Sequence, residues 1–133
     1  MISTKGRYAL RVMIDLAEND KNGPVSLNDI AARQEISKKY LESIVRDLVK
    51  NELVISSSGR SGGYVLSRAP EDYPIGEILE KTEGPMPVVA CLAEDSAICP
   101  RAEKCKTLPL WNEFEKVSHD FFYSKKLSDL LEN

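Results

Sequence analysis

Residues 26–66 read SLNDIAARQEISKKYLESIVRDLVKNELVISSSGRSGGYVL, and the fold turns on this stretch. Ser26 precedes Leu27, Ile30 and Ala31 at helical spacing. Asp29 sits at the third position, where a carboxylate favours a helix N-terminus. That helix is expected to stop near Gln34, with Glu35 and Ile36 turning the chain. Ser37 then caps a helix to about Asn51, whose Leu41, Ile44, Val45 and Leu48 make one apolar stripe. Leu53–Ser57 and Tyr64–Leu66 are short β-type runs around the glycine-rich tip at 58–63. Two helices joined by a tight turn and followed by a hairpin are the order of a helix-turn-helix with a wing.

Outward from that stretch, Ser3 or Thr4 caps a first helix to about Asn19, with Leu10, Met13, Ile14 and Ala17 on one face and Tyr8 nearby. Residues 19–24 form a turn cluster, and Val25 adds a short strand. Residues 69–74 read as a linker. Ile75, Ile78, Leu79 and Thr82 fit a short helix closed by Gly84 and Pro85, followed by an extended run at 86–91. A last helix starts near Thr107. Its Leu110, Phe114, Val117 and Phe121 repeat like a heptad seam, widened by Trp111 and Phe122. A three-helix winged unit cannot cover that stripe and keep its reading face free, so this is read as a dimerisation helix; a core helix of the same chain is the competing reading. Ser128–Leu131 forms a final turn. The expected fold is mainly α with a small β-hairpin wing: a winged helix-turn-helix at 1–69, a linker, short helix and cysteine loop at 70–106, and the dimerisation helix and tail at 107–133.

The chain carries a net charge of −3, which alone argues against a nucleic-acid partner. The distribution reverses that argument. Residues 1–69 hold 11 Lys/Arg against 8 Asp/Glu, a net +3, while residues 70–133 are net −6. A basic half joined to an acidic half suits an anionic partner at one end only. No apolar run reaches the length of a membrane span, and no signal peptide is legible, so a cytoplasmic protein with reduced cysteines is expected. Nothing suggests an enzyme or a small-molecule substrate.

In a helix-turn-helix the second helix enters the major groove N-terminus first. The corresponding residues are Ser37, Lys38, Lys39, Tyr40, Glu42, Ser43 and Arg46. Lys or Arg can donate to guanine, Glu can accept from cytosine, and Ser can do either. Arg60, with Ser61 beside it, is placed at the wing tip for a minor groove or a phosphate. Lys5, Arg7 and Arg11 of the first helix, with Ser26, are either phosphate contacts or solvated surface.

All three cysteines, Cys91, Cys99 and Cys105, fall within fifteen residues. Their spacing lacks the CxxC knuckle of a structural zinc site. Thiolates on a loop suit an iron–sulfur cluster of two or four irons, the bland reading being three reduced thiols.

MISTKGRYALRVMIDLA, PVSLNDIAARQEISKKYLESIVRDLVKNELV, SGRSGGYVL, IGEILEKTEG and a three-cysteine loop followed by LW, in that order, resemble the Rrf-two family of bacterial winged-helix regulators. The resemblance covers essentially the whole chain. It is closest to the family's iron–sulfur-cluster regulators and nitric-oxide-sensing repressors. It implies a homodimeric transcription factor, a repressor, paired through the C-terminal helix and binding a pseudo-palindromic operator in double-stranded DNA. It further implies base contacts at Glu42, Ser43 and the wing tip, and a cofactor held by the loop before the last helix. Two departures stand out. The wing's basic residue is Arg60 rather than position 58, which holds a serine. The family's histidine three residues after the last cysteine is Leu108. A fourth ligand is then sought in His119, in Glu94, Asp95 or Glu103, in the partner's first helix (Tyr8 or Asp15 here), or outside the protein. The alternative function is a metal-free regulator that senses thiol oxidation or a protein partner.

Overall fold

The computed structural model describes residues 2–84, 89, 92 and 100–131. Five helices and one hairpin appear among them: α1 (Thr4–Asn19), α2 (Leu27–Gln34), α3 (Lys38–Lys50), β1 (Val54–Ser57), β2 (Gly63–Leu66), α4 (Ile75–Glu83) and α5 (Leu108–Ser124). The mainly helical class with a small hairpin wing is thus observed. The expected extended run at 86–91 falls almost wholly outside the described residues.

Serines start the first three helices. Ser26 Oγ accepts the Asp29 N–H at 3.1 Å and Ser37 Oγ accepts the Tyr40 N–H at 3.3 Å. Each satisfies one of the donors left orphaned at a helix start. The turn between α2 and α3 runs through Glu35, in the left-handed region at φ 53°. A residue with a Cβ adopts that conformation only where its surroundings hold it. Arg11 supplies the hold: its Nε donates to Gln34 Oε1 at 3.1 Å and its guanidinium also donates to the Gln34 carbonyl.

The stripe expected on α3 is buried as read, with Leu41, Ile44, Val45 and Leu48 at 2 % exposure or less. The face of α1 differs. Ala9, Val12, Met13, Leu16 and Ala17 are buried, whereas Leu10 and Ile14 are only partly so. The buried arc is wider and rotated because α1 is covered from several sides, by α2 and α3 and also by α4.

The hairpin pairs Val54 with Leu66 and Ser57 with Gly63. Val25 extends it, exchanging hydrogen bonds with Tyr64 at 2.9 Å in both directions. Gly63 makes this approach feasible, since a Cβ there would lie 2.4 Å from the Val25 carbonyl oxygen.

The stretch read as a linker is anchored. Pro70–Asp72 is a short 3-10 turn, and Tyr73 is fully buried. Its hydroxyl donates to the Leu53 carbonyl at 2.8 Å and accepts the Ser67 and Arg68 N–H groups at 2.8 and 2.9 Å. Arg68 lies over the Tyr73 ring and grips Glu77, whose carboxyl this hydrogen bonding holds down at about 2. The tail returns to the same core: Leu127 is fully buried and its N–H donates to the Tyr73 carbonyl at 2.9 Å. Proline and acidic composition resembles a loop, and only the return of Leu127 explains the burial.

Asp15 is 1 % exposed. Arg33 grips it with Nε at 3.0 Å and Nη2 at 2.8 Å, and Gln34 Nε2 adds a third donor at 3.0 Å. A buried carboxylate is tolerated only when so paired. Arg33→Ala should therefore cost about 3 kcal/mol by stranding a buried charge. Urea unfolding should show a lower midpoint at unchanged slope, and Arg33→Lys should recover only part of it, because Lys lacks the planar fork.

Candidate nucleic-acid interface and cysteine loop

The buried stripe of α3 sends the rest of the helix outward. Lys38, Lys39, Tyr40, Glu42, Ser43 and Arg46 are all exposed, as is Ser37 before them. They occupy the side that a groove-reading helix needs, and three of them are cationic. Tyr40 does not stand free. Its ring meets that of Tyr8 edge to face, centroids 5.8 Å apart, and Arg11 lies 5.0 Å from the Tyr8 ring centre. The sequence reading missed this contact between α1 and α3; two tyrosines 32 positions apart carry no signal for it.

The basic residues of α1 separate into distinct roles. Lys5 forms an ion pair with Asp47 of α3. Arg7 is exposed and donates to Thr4 Oγ1 at 3.2 Å. Arg11 is a structural clip on Gln34, which corrects its grouping with the candidate phosphate contacts. Ser26 is part-exposed, with its hydroxyl oxygen engaged as a cap. At the wing, Arg60 and Ser61 are exposed on the tip. The tip turns through Gly59 at φ 101°, and the Gly62 N–H closes it onto the Gly59 carbonyl at 3.1 Å.

Cys91 and Cys99, with Glu94 and Asp95, lie outside the described residues. Cys105 is half-buried at the foot of α5. Two turns fix it, Lys104 N–H to Arg101 carbonyl at 2.9 Å and Cys105 N–H to Ala102 carbonyl at 3.4 Å. Its Sγ lies 3.3 Å from Thr107 Oγ1. That hydroxyl, with the Thr107 and Leu108 N–H groups and the Arg101 charge, draws the thiol below its ordinary range. A thiol so placed leans towards thiolate, the form that binds soft metals and attacks disulfides. Asp15 is not available as a ligand, because Arg33 and Gln34 already hold its buried carboxylate. His119 stacks on Tyr123, centroids 4.6 Å apart, with Nε2 3.8 Å from Glu80 of α4, and Glu103 is exposed on the loop. No group of three metal-binding side chains occurs among the described residues.

On α5, Leu110, Phe114, Val117 and Phe121 are 56, 44, 59 and 54 % exposed, and Trp111 is half-buried. The helix touches its own chain through another face, where Tyr123 lies against Gly76 of α4 and its hydroxyl donates to Glu80 Oε2 at 2.6 Å. Burial and that bond push Tyr123 up to about 12. Among the described residues no helix is long and apolar enough to cross a membrane.

The Rrf2 family model, described as an iron-dependent transcriptional regulator, matches residues 2–133. The chain belongs to this family. It is 35% identical over 132 residues to the HTH-type transcriptional regulator IscR of Erwinia tasmaniensis, covering 99% of this chain and 79% of that one. Among solved structures it resembles CymR, the global cysteine regulator of B. subtilis, at 37% identity and a TM-score of 0.79, covering 99% of this chain and 96% of that one. It also resembles T. potens IscR at 35% identity and a TM-score of 0.76, covering 99% and 86%. The Rrf2 protein is accordingly a DNA-binding transcriptional regulator and not an enzyme.

Thr107→Val removes the first donor to the Cys105 thiolate. The pH profile of Cys105 alkylation, followed by peptide mass spectrometry, should then move to higher pH. An unmoved profile would mean that the hydroxyl does not tune the thiol.

Proposed function

We propose that this Rrf2 protein is a homodimeric, operator-specific repressor whose DNA affinity follows the state of the Cys91–Cys105 loop. The observation that carries the reading half is the outward side of α3, where Lys38, Lys39, Glu42, Ser43 and Arg46 stand opposite a fully buried stripe. Glu42 and Ser43 address base edges. Ser37, Lys38, Lys39, Tyr40 and Arg46 combine base and phosphate contact. Lys5, Arg7 and Ser26 line the phosphate backbone, and Arg60 with Ser61 reaches it from the wing. The proposed division keeps 1–69 as reader, 70–106 as sensor and 107–133 as pairing element.

Pairing is supported by the uncovered seam of Leu110, Trp111, Phe114, Val117 and Phe121. Each such side chain gains about 1.5–3 kcal/mol on full burial, and a second copy offers the same seam back by two-fold symmetry. A dimer of winged helices favours a pseudo-palindrome with half-sites about one helical turn, roughly 34 Å, or a multiple apart.

For the sensor, Cys91, Cys99 and Cys105 would hold an iron–sulfur cluster. The donor chemistry fits: three soft sulfurs, one of them a thiol drawn towards thiolate. When bound, such a group supplies iron that responds to oxidants and to nitric oxide. The chain's own part is to fix Cys105 at the foot of α5 through the turns from Arg101 and Ala102. A metal-free thiol sensor is the second reading. The Thr107-stabilised Cys105 and the likeness to CymR, a cysteine regulator by name, favour it.

Iron and sulfide content after oxygen-free isolation separates the two. The cluster reading expects both with coloured protein. Iron-free protein that binds operator reduced and releases it on thiol oxidation would establish the second reading instead. On duplex DNA, Arg60→Ala should weaken binding by roughly ten-fold with a shallower salt dependence if it meets phosphate. Glu42→Ala should relax base preference more than affinity, since Glu discriminates by accepting from cytosine. An unchanged preferred sequence in Glu42→Ala would overturn the assigned reading face.

A further inference from the structure

The last residue of α4, Glu83, reaches across to the start of α1. Its Oε1 accepts the Ser3 N–H, the Ser3 hydroxyl and, at 3.3 Å, the Gly6 N–H. The carboxylate thus supplements the Ser3 cap from 80 residues away, at the helix end that favours negative charge. Its Oε2 is buried without a hydrogen-bond partner among the described residues. An oxygen left so stays only where the rest of the group is firmly held. Gly6 leaves the room. A Cβ at that position would lie 2.6 Å from both the Glu83 Cδ and Oε1.

What hangs on that first turn is the recognition helix. Lys5 pairs with Asp47, and Tyr8 meets Tyr40 edge to face. The same end of α4 also holds the far end of α3, where Asn51 Nδ2 donates to the Lys81 carbonyl at 3.1 Å. One residue beyond Glu83 begins the run into the cysteine loop.

We propose that Glu83 is a positioning residue for operator reading. Its carboxylate, where α4 meets the sensor loop, holds the first turn of α1 and thereby holds Lys5 and Tyr8 against α3. The proposal rests on reading α3 as the recognition helix. It assigns Glu83 no contact with DNA. It gives a displacement of α4, of whatever cause, a direct mechanical route to the reading face.

Glu83→Ala, Glu83→Gln and Gly6→Ala separate positioning from plain capping. Gly6→Ala places a better helix former in α1 while its methyl pushes the carboxylate aside. A role confined to helix stability predicts no harm from it. Positioning predicts that Gly6→Ala and Glu83→Ala both weaken operator binding, roughly three- to thirty-fold, the range typical of coupling mutations. The double variant should be little worse than either, since both break one contact. Glu83→Gln retains an accepting oxygen and should restore most of the affinity. The salt dependence should stay at the wild-type slope, because no phosphate contact is lost. Without DNA, hydrogen exchange should accelerate at the amides of residues 38–43 as well as at the first turn of α1.

Gly6→Ala with wild-type affinity and wild-type exchange in α3 would overturn the proposal. So would Glu83→Ala that loosens only α1. A wild-type chain without salt-steep operator binding would instead remove the recognition-helix assignment, and the exchange in α3 would still decide whether Glu83 positions that helix.

Discussion

The carboxylate of Asp15 constrains everything around it. An unpaired carboxylate at 1 % exposure would cost several kcal/mol, so α1 can fold against α2 only with Arg33 and Gln34 in place. Those two residues end α2. Once they are fixed, the left-handed turn at Glu35 has one direction to follow, and Arg11 closes on it from α1. The start of α3 is thereby aimed before its apolar stripe meets the core. Hydrophobic contact is tolerant of small rotations; a bidentate fork on a buried anion is not. The polar clamp gives the reading helix its direction, and the stripe gives it its stability.

Helix α4 holds the second position of importance. It packs on α1, meets α3 through Asn51, and carries α5 against Gly76, where a Cβ would lie 2.2 Å from the Tyr123 ring. Its start is fixed by Tyr73, which binds the base of the wing, and by Glu77 in the grip of Arg68. The segment between reader and tail is therefore integral to the core of the reader. A loop that leaves from the end of such a helix has leverage that a loop on a tether would lack.

Local signals made the reading unit legible. Three serine caps, one four-residue stripe on α3 and a glycine-rich tip between β-type runs each act over a few residues, and the helices begin and end where those signals place them. The unread features depend on distant partners. Asp15 within an apolar helix looks like surface until Arg33, 18 positions on, is beside it. Tyr73 looks like a loop aromatic until Leu127 returns over it. The buried face of α1 was misplaced by a fraction of a turn because periodicity reports one covering neighbour and α1 has several. In the candidate site, the exposed side of α3 followed from its stripe, whereas the separate tasks of Lys5 and Arg11 had no local mark.

Charge sets the remaining condition. A chain of net −3 approaches a polyanion favourably only if its acidic half is kept away from the contact. The folded arrangement supplies that separation within one protomer: the cations of α3 and the wing belong to the positive half, while Glu80, Glu113 and Asp120 stand on α4 and α5. The proposed pairing through α5 would bring two acidic halves together, a repulsion the seam must overcome. Lys116 pairs with Asp120 one turn along the same helix, at 2.6 Å, and Lys125 lies 5.6 Å from the Phe121 ring centre. Part of the charge beside the seam is thus neutralised before a second copy arrives. The apolar contact then works against a smaller field, and the net attraction for DNA stays with the end of the molecule that reads it.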